Sequence, residues 1–220
     1  MRHLRITLAC LFWLAIFSFP LCAADPEIIL PPVVVFNSFG PGNTFNTTIG
    51  WGVSGGSSSG SYRGQAEWFV PGISGNLSSI QLAMFRGSGS GRSNFYIAQD
   101  NSGIPGDILE TYPNMLSPNG VLGLNSLNQP LLQAGGKYWV CAEPADATTA
   151  SGWYYNNQNL ANGFAFERSQ WAWSFFTGGP NNGVFRVSVT PVPEPSTWAI
   201  AVIGAGLFIW RIRKRVSASA

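Results

Sequence analysis

The feature that most constrains this chain is a repeated two-residue apolar alternation in short runs. Ile80, Leu82 and Met84 alternate with polar or small residues, as do Phe95 and Ile97. Tyr138, Val140 and Ala142 follow the same rule, and so do Phe185, Val187 and Val189. Each run is short and ends in Gly, Pro, Asn or Ser. A period of two puts one set of side chains on one face of a strand, so these runs predict antiparallel strands with one buried face. Ten strand segments are expected: Val33–Phe39, Ile49–Val53, Gln65–Val70, Leu77–Phe85, Ser93–Gln99, Ile108–Thr111, Leu131–Gln133, Lys137–Ala142, Gly163–Glu167 with Trp171–Phe176, and Val184–Thr190. No stretch between them has helical periodicity, which excludes an α/β fold with crossover helices. The expectation is an all-β domain, an antiparallel β-sandwich or jelly roll.

The connections carry expectations too. Gly52 to Gly60 is nearly all Gly and Ser and reads as a flexible linker. Gly87-Ser88-Gly89-Ser90-Gly91 reads as the link between two paired strands. Asp100 to Gly106 is rich in turn formers.

The two ends differ from this body. Arg2 and Arg5 precede an apolar core from Leu8 to Leu21, followed by Cys22-Ala23-Ala24. That order is a secretory signal peptide over 1–24, to be cut by signal peptidase after Ala24. A retained N-terminal helix is the alternative; a lipoprotein signal at Cys22 is disfavoured by the bulky Leu21. The C-terminal run from Trp198 to Trp210 has 13 apolar-rich residues. At about 1.5 Å per residue it is short for a ~30 Å hydrocarbon layer. Including Ser196, Thr197 and Ile212 brings it to the low end of spanning length. Arg211, Arg213, Lys214 and Arg215 on its far side form a stop cluster, placing the tail inside and the domain outside. A helix buried in a globular core is the alternative, against which the flanking charges and prolines argue.

Val192-Pro193-Glu194-Pro195-Ser196, the short apolar helix and the basic cluster resemble the PEP-CTERM sorting signal of Gram-negative bacteria. The resemblance implies recognition by an exosortase, a membrane cysteine protease that cuts near the Pro-Glu-Pro triplet. It further implies transient residence in the inner membrane and an association with exopolysaccharide or biofilm. The division that follows is 1–24 signal peptide, 25–190 ectodomain and 191–220 sorting tail. Within the ectodomain, Gln65, Phe69, Leu77-x-x-Ile80-x-Leu82, Phe95-x-Ile97, Asp100-x-x-Gly103-x-Pro105-Gly106-x-x-Leu109 and Leu131 to Trp139 resemble exported choice-of-anchor β domains. That likeness implies fold and location, and brings no activity with it.

Between Asp25 and Thr190 there are six basic residues against nine acidic ones, a balance of −3, whereas the whole chain is +2. The domain therefore has no basic stripe and no nucleic-acid partner is expected. Cys141 is its one cysteine, read as a small buried apolar residue in a strand. The one histidine of the chain, His3, lies in the signal peptide. Histidine-based nucleophilic catalysis and the usual zinc sites are thereby excluded, and no metal or cofactor is expected. Gly56-Ser57-Ser58-Ser59-Gly60 has nucleophile-elbow spacing but lacks a base for Ser58 and a strand-to-helix context. Glu67, Asp100, Asp107, Glu110, Glu143 and Glu167 leave open a carboxylate-pair glycoside hydrolase, although sequence cannot place two of them across a cleft. Asp100, Asn101 and Asp107 offer oxygens for calcium, with a plain turn as the favoured reading.

Aromatic residues supply the remaining candidates. Trp153, Tyr154, Tyr155, Asn156 and Asn157 combine rings with amides, which suits a glycan-binding loop. Trp171, Trp173 and Phe175 share one strand face and are read mainly as core. The functional expectation is a non-enzymatic, exported structural or interaction protein of the cell envelope that engages extracellular polysaccharide. The alternative is an exported carbohydrate-active enzyme.

Overall fold

A computed structural model of the chain describes residues 30–160, 163–167, 172–176 and 182–192. The signal peptide, Trp171, the run Trp198–Trp210 and most of the sorting tail lie outside these residues. Thirteen strands form: β1 (Val33–Asn37), β2 (Gly50–Ser54), β3 (Gly64–Phe69), β4 (Gly75–Arg86), β5 (Arg92–Asn101), β6 (Ile104–Leu116), β7 (Gly120–Asn125), β8 (Leu131–Leu132), β9 (Tyr138–Pro144), β10 (Ala150–Tyr154), β11 (Phe164–Glu167), β12 (Trp173–Phe176) and β13 (Phe185–Pro191). They make two antiparallel sheets. The seven-stranded sheet runs β1-β13-β4-β10-β2, with β7 and β8 also pairing with β4. The six-stranded sheet runs β12-β11-β3-β9-β5-β6.

The alternation seen in the sequence is the reason for this sandwich. Leu82, Met84, Phe185, Val187 and Val189 project from one sheet, and Phe69, Phe95, Ile97, Val140 and Ala142 from the other, into one shared core. Each fully buried aliphatic or aromatic side chain there contributes roughly 1.5–3 kcal/mol of burial free energy. Leu77-x-x-Ile80 breaks strict alternation, and the register explains it. Ser188 faces Ser79 while Val189 faces Leu77, so Ser78 is the extra residue of a bulge. The bulge turns both Leu77 and Ile80 inward.

Other local features follow from residue chemistry. Asn101 pairs with Ile104, leaving Ser102 and Gly103 as a two-residue hairpin turn with φ of 55° and 93°. Positive φ at both central positions is the geometry that continues the strand twist, and Gly103 takes it without strain. Asp100 Oδ2 fixes the turn by accepting the Gly103 N–H at 3.1 Å. The turn reading of Asp100–Gly106 is thus realised.

Several expectations are corrected. β7 and β10 were not foreseen. The Gly87–Gly91 segment links β4 to β5 and therefore crosses from one sheet to the other instead of joining paired strands. The supposed flexible linker is ordered: Gly52–Ser54 finish β2, and Gly56–Ser59 form α1, a single helical turn. Ser58 Oγ donates to the Thr149 carbonyl at 2.5 Å, which ties that turn to the neighbouring loop.

Candidate functional site

The aromatic–amide segment faces mostly inward. Trp153 is fully buried in the inter-sheet core, with its indole 5.7 Å from the Phe185 ring and edge-on to it. Tyr155 and Asn156 are buried as well. Asn156 is committed to its own loop, donating to the Leu160 and Asn182 carbonyls and accepting from the Gln158 and Leu160 N–H groups. Tyr154 is half-buried against Phe45 and Phe85 on the far side of the sheet. Asn157 is exposed, with its amide on Thr44 Oγ1. The reading of the segment as a glycan-binding loop is corrected at Trp153, Tyr155 and Asn156, which are withdrawn from solvent. The cause is β10, which pairs with both β2 and β4 and sends alternate side chains into the core.

The exposed rings lie elsewhere. β12 is an edge strand on which Phe175 and Phe176 are 39% and 41% exposed, which corrects the reading of Phe175 as core. Outside the six-stranded sheet, Phe175 stands edge-on to Trp139 at 6.1 Å. Lys137 Nζ sits 4.8 Å from the Trp68 ring, 5.1 Å from Trp139 and 5.4 Å from Phe175. A cation over three rings is favourable by about 0.5–1 kcal/mol per exposed contact. Asp100 fixes this cluster, accepting the Trp139 indole N–H at 2.7 Å and pairing with Lys137 at 3.3 Å. Asp100 is thus occupied by a turn and a tryptophan, while Asp107 is exposed. No group of three metal-ligating side chains occurs among the described residues.

Two carboxylates do meet. Glu143 is the penultimate residue of β9 and Glu167 the last of β11, with β3 between the two strands. Gly64 of β3 lies beneath both: a Cβ there would be 3.1 Å from Glu167 Oε2 and 3.2 Å from Glu143 Cγ. Glu143 accepts the Tyr96 hydroxyl at 2.5 Å and the Tyr62 hydroxyl at 3.2 Å. Glu167 Oε1 accepts the Ala172 N–H at 3.2 Å. Burial, and then the adjacent Glu143 charge, push Glu167 up to about 8, so it holds a proton at neutral pH. Burial, with the Glu143 charge adding to it, raises Tyr62 as well. Beneath the cluster Cys141 is fully buried and its thiol is pushed up by burial, the inert role expected of it.

The other carboxylates are separate. Glu67 is buried, takes the Gly183 N–H at 2.8 Å and is held protonated chiefly by desolvation. Glu110 collects Ser126 Oγ and the Leu127 and Asn128 N–H groups. Burial alone pushes Glu110 up, but these hydrogen bonds outweigh it and its carboxyl titrates below the usual value.

At the end of the described domain, β13 closes at Pro191, and the Val192 N–H donates to the Ser74 carbonyl. Residues 191–215 match the PEP-CTERM protein-sorting motif. The chain carries a PEP-CTERM sorting tail. No curated protein matches the chain. The PEP-CTERM tail implies an exported protein, sorted by an exosortase and held transiently in the membrane before it reaches the cell surface. Of the motif residues, Val192 is described; Pro193, Glu194, Pro195 and Ser196 lie outside the described residues, as do Arg211, Arg213, Lys214 and Arg215. No helix among the described residues is long and apolar enough to cross a membrane. The PEP-CTERM motif therefore starts where the last strand of the sandwich ends.

Proposed function

We propose that this exported PEP-CTERM protein is a non-catalytic structural or interaction component of the cell surface, associated with extracellular polysaccharide or biofilm matrix. The observation that carries the reading is the exposed aromatic edge of the six-stranded sheet, where Phe175 meets solvent beside the Lys137 cluster and Phe176 meets it beside Phe166. Flat rings present apolar faces to the C–H faces of sugars, and a rigid sheet holds them without ordering cost. The resemblance of the ectodomain to choice-of-anchor β domains supports the exported location alone. The test is fractionation of cells producing the native chain and a chain truncated before Pro191. The native chain is expected in the polysaccharide-rich surface fraction and to be released by polysaccharide digestion. A native chain whose distribution is indifferent to that digestion overturns the proposal.

The meeting of Glu143 and Glu167 favours a second reading, a carboxylate-pair glycoside hydrolase. Their burial argues against it. Retaining enzymes separate their carboxyls by about 5–5.5 Å and inverting ones by about 6.5–9.5 Å. Both geometries also require carboxyls open to the substrate, whereas Glu143 and Glu167 are buried. A turnover assay on polysaccharides with the parent, Glu143→Gln and Glu167→Gln decides it: turnover lost in both variants revives the hydrolase.

A further inference from the structure

The open edge between the two sheets holds a cleft of about 410 Å³, lined by Trp51, Gly52, Ser61, Arg63, Gln65 and Phe166. Its size lies in the range of small-molecule sites. One wall is aromatic. The Trp51 ring lies 4.4 Å from Phe164, and Phe166 stacks on Phe176 at 4.4 Å.

The polar groups of the cleft are the unusual part. Gln65 is 5% exposed, and its Nε2 donates to the Gly52 carbonyl across the sheets at 3.0 Å. That bond fixes the amide's orientation and leaves Oε1 buried without a donor. The Trp51 indole N–H is buried and has no acceptor. Burying either group unpaired costs about 1–3 kcal/mol. An acceptor and a donor, both unsatisfied and both just behind the surface, belong to side chains that line one cavity. At the mouth, Arg63 is exposed and its Nε bonds Ser61 Oγ at 3.3 Å. No carboxylate pairs with Arg63 among the described residues.

We infer that this cleft is a binding site for an acidic sugar, a uronate unit of a polysaccharide. The pyranose C–H face lies on the Trp51 ring. A sugar hydroxyl donates to Gln65 Oε1, and a hydroxyl or ring oxygen accepts from Trp51 Nε1. The sugar carboxylate pairs with the guanidinium of Arg63, whose planar fork matches it in two parallel bonds. A neutral apolar ligand would leave Gln65 and Trp51 unsatisfied, and a cationic one would oppose Arg63. This inference rests on the polysaccharide reading above and specifies the sugar and the place.

The test is calorimetry on the full chain in detergent, with tetragalacturonate and its neutral methyl ester as probes. The acid is expected to bind at least tenfold more tightly than the ester. Arg63→Ala, at an exposed position, is expected to bring the acid down to the level of the ester. Gln65→Met keeps the side-chain length and is expected to abolish binding of both. A folded parent that binds neither probe, an ester that binds as well as the acid, or variants that bind like the parent each overturn the inference. Surface association that persists in Arg63→Ala cells, alongside unchanged probe binding, sinks the cleft and leaves the polysaccharide reading standing. Probe binding without surface association sinks the reading and leaves the cleft.

Discussion

The Trp153 indole N–H donates to the backbone carbonyl of Val184 at 2.8 Å, deep between the sheets. The bond joins β10 to the residue just before β13, which puts one of the largest side chains of the chain at a junction of two strands. Trp153 is thus a structural element and presents no ring to solvent. Trp153→Ala is expected to destabilise the domain by about 3–5 kcal/mol through the cavity and the unpaired carbonyl it leaves. Urea unfolding followed by circular dichroism reads this directly. A variant that unfolds at the parental midpoint shows that the ring is not part of the core.

Gly152 faces Gly52 across the β10–β2 ladder. A Cβ at Gly152 would lie 2.1 Å from Phe85 Cζ and 2.6 Å from the Trp51 carbonyl oxygen. The first contact is with a ring and the second with backbone, so neither can simply swing away. Gly152→Ala is expected to cost about 1–3 kcal/mol or more as overpacking, and Gly52→Ala, with nothing nearby, far less. Comparing the two denaturation midpoints checks the prediction, since intrinsic glycine effects are common to both.

Stability should decline from mildly acidic to mildly alkaline pH. Glu167 titrates at about 8 in the folded chain against an ordinary 4.5. Between those values the native state binds more protons than the unfolded one, so its stability falls as pH rises. Glu67, also raised by burial, acts in the same direction. Glu110, whose carboxyl is lowered, acts the other way and only below its ordinary value. One proton of difference corresponds to a slope of about 1.4 kcal/mol per pH unit. Urea midpoints at pH 5 and pH 8 should differ accordingly, with Glu167→Gln flattening the dependence. A parent that is more stable at pH 8 than at pH 5 contradicts this assignment.

Processing gives a prediction that can be read by mass. In a host with an exosortase, the mature chain is expected to lack 1–24 and everything beyond the Pro193–Pro195 region. Replacing Pro193-Glu194-Pro195 by alanines should leave the tail attached. Recovery of the same truncated mass from both chains would disprove recognition through this triplet.

Strands with strong alternation, such as β4, β9 and β13, could be read from their residues, because burial on one face demands that pattern. β7 could not, since Gly120 is small on the inward face and Val121 is apolar on the exposed one, which blurs the alternation. β10 is hidden by the amides that follow Tyr155, which suggest solvent; Asn157 to Asn159 are indeed exposed, but Asn156 is buried and satisfied by its own loop. The pairing of Glu143 with Glu167 depends on β3 lying between β9 and β11, and pairing order is a non-local property with no trace in either strand. The same holds for Gln65. Its residue type and spacing say strand, whereas its value as a binding group comes from an amide anchored on β2. The exposure of Phe175 and Phe176 follows from β12 being last in its sheet, and a strand's own composition does not distinguish edge from centre.

The position of β13 between β1 and β4 has a mechanical consequence. Val33 pairs with Val189 and Pro191 with Gly75, so both flanking ladders run back from the end where the tail departs. A pull on the tail during membrane retention acts lengthwise along an interior strand. The backbone bonds on both sides then bear load in shear, all together, and do not peel one by one. Such a clamp lets the body withstand traction from its own tether until that tether is cut.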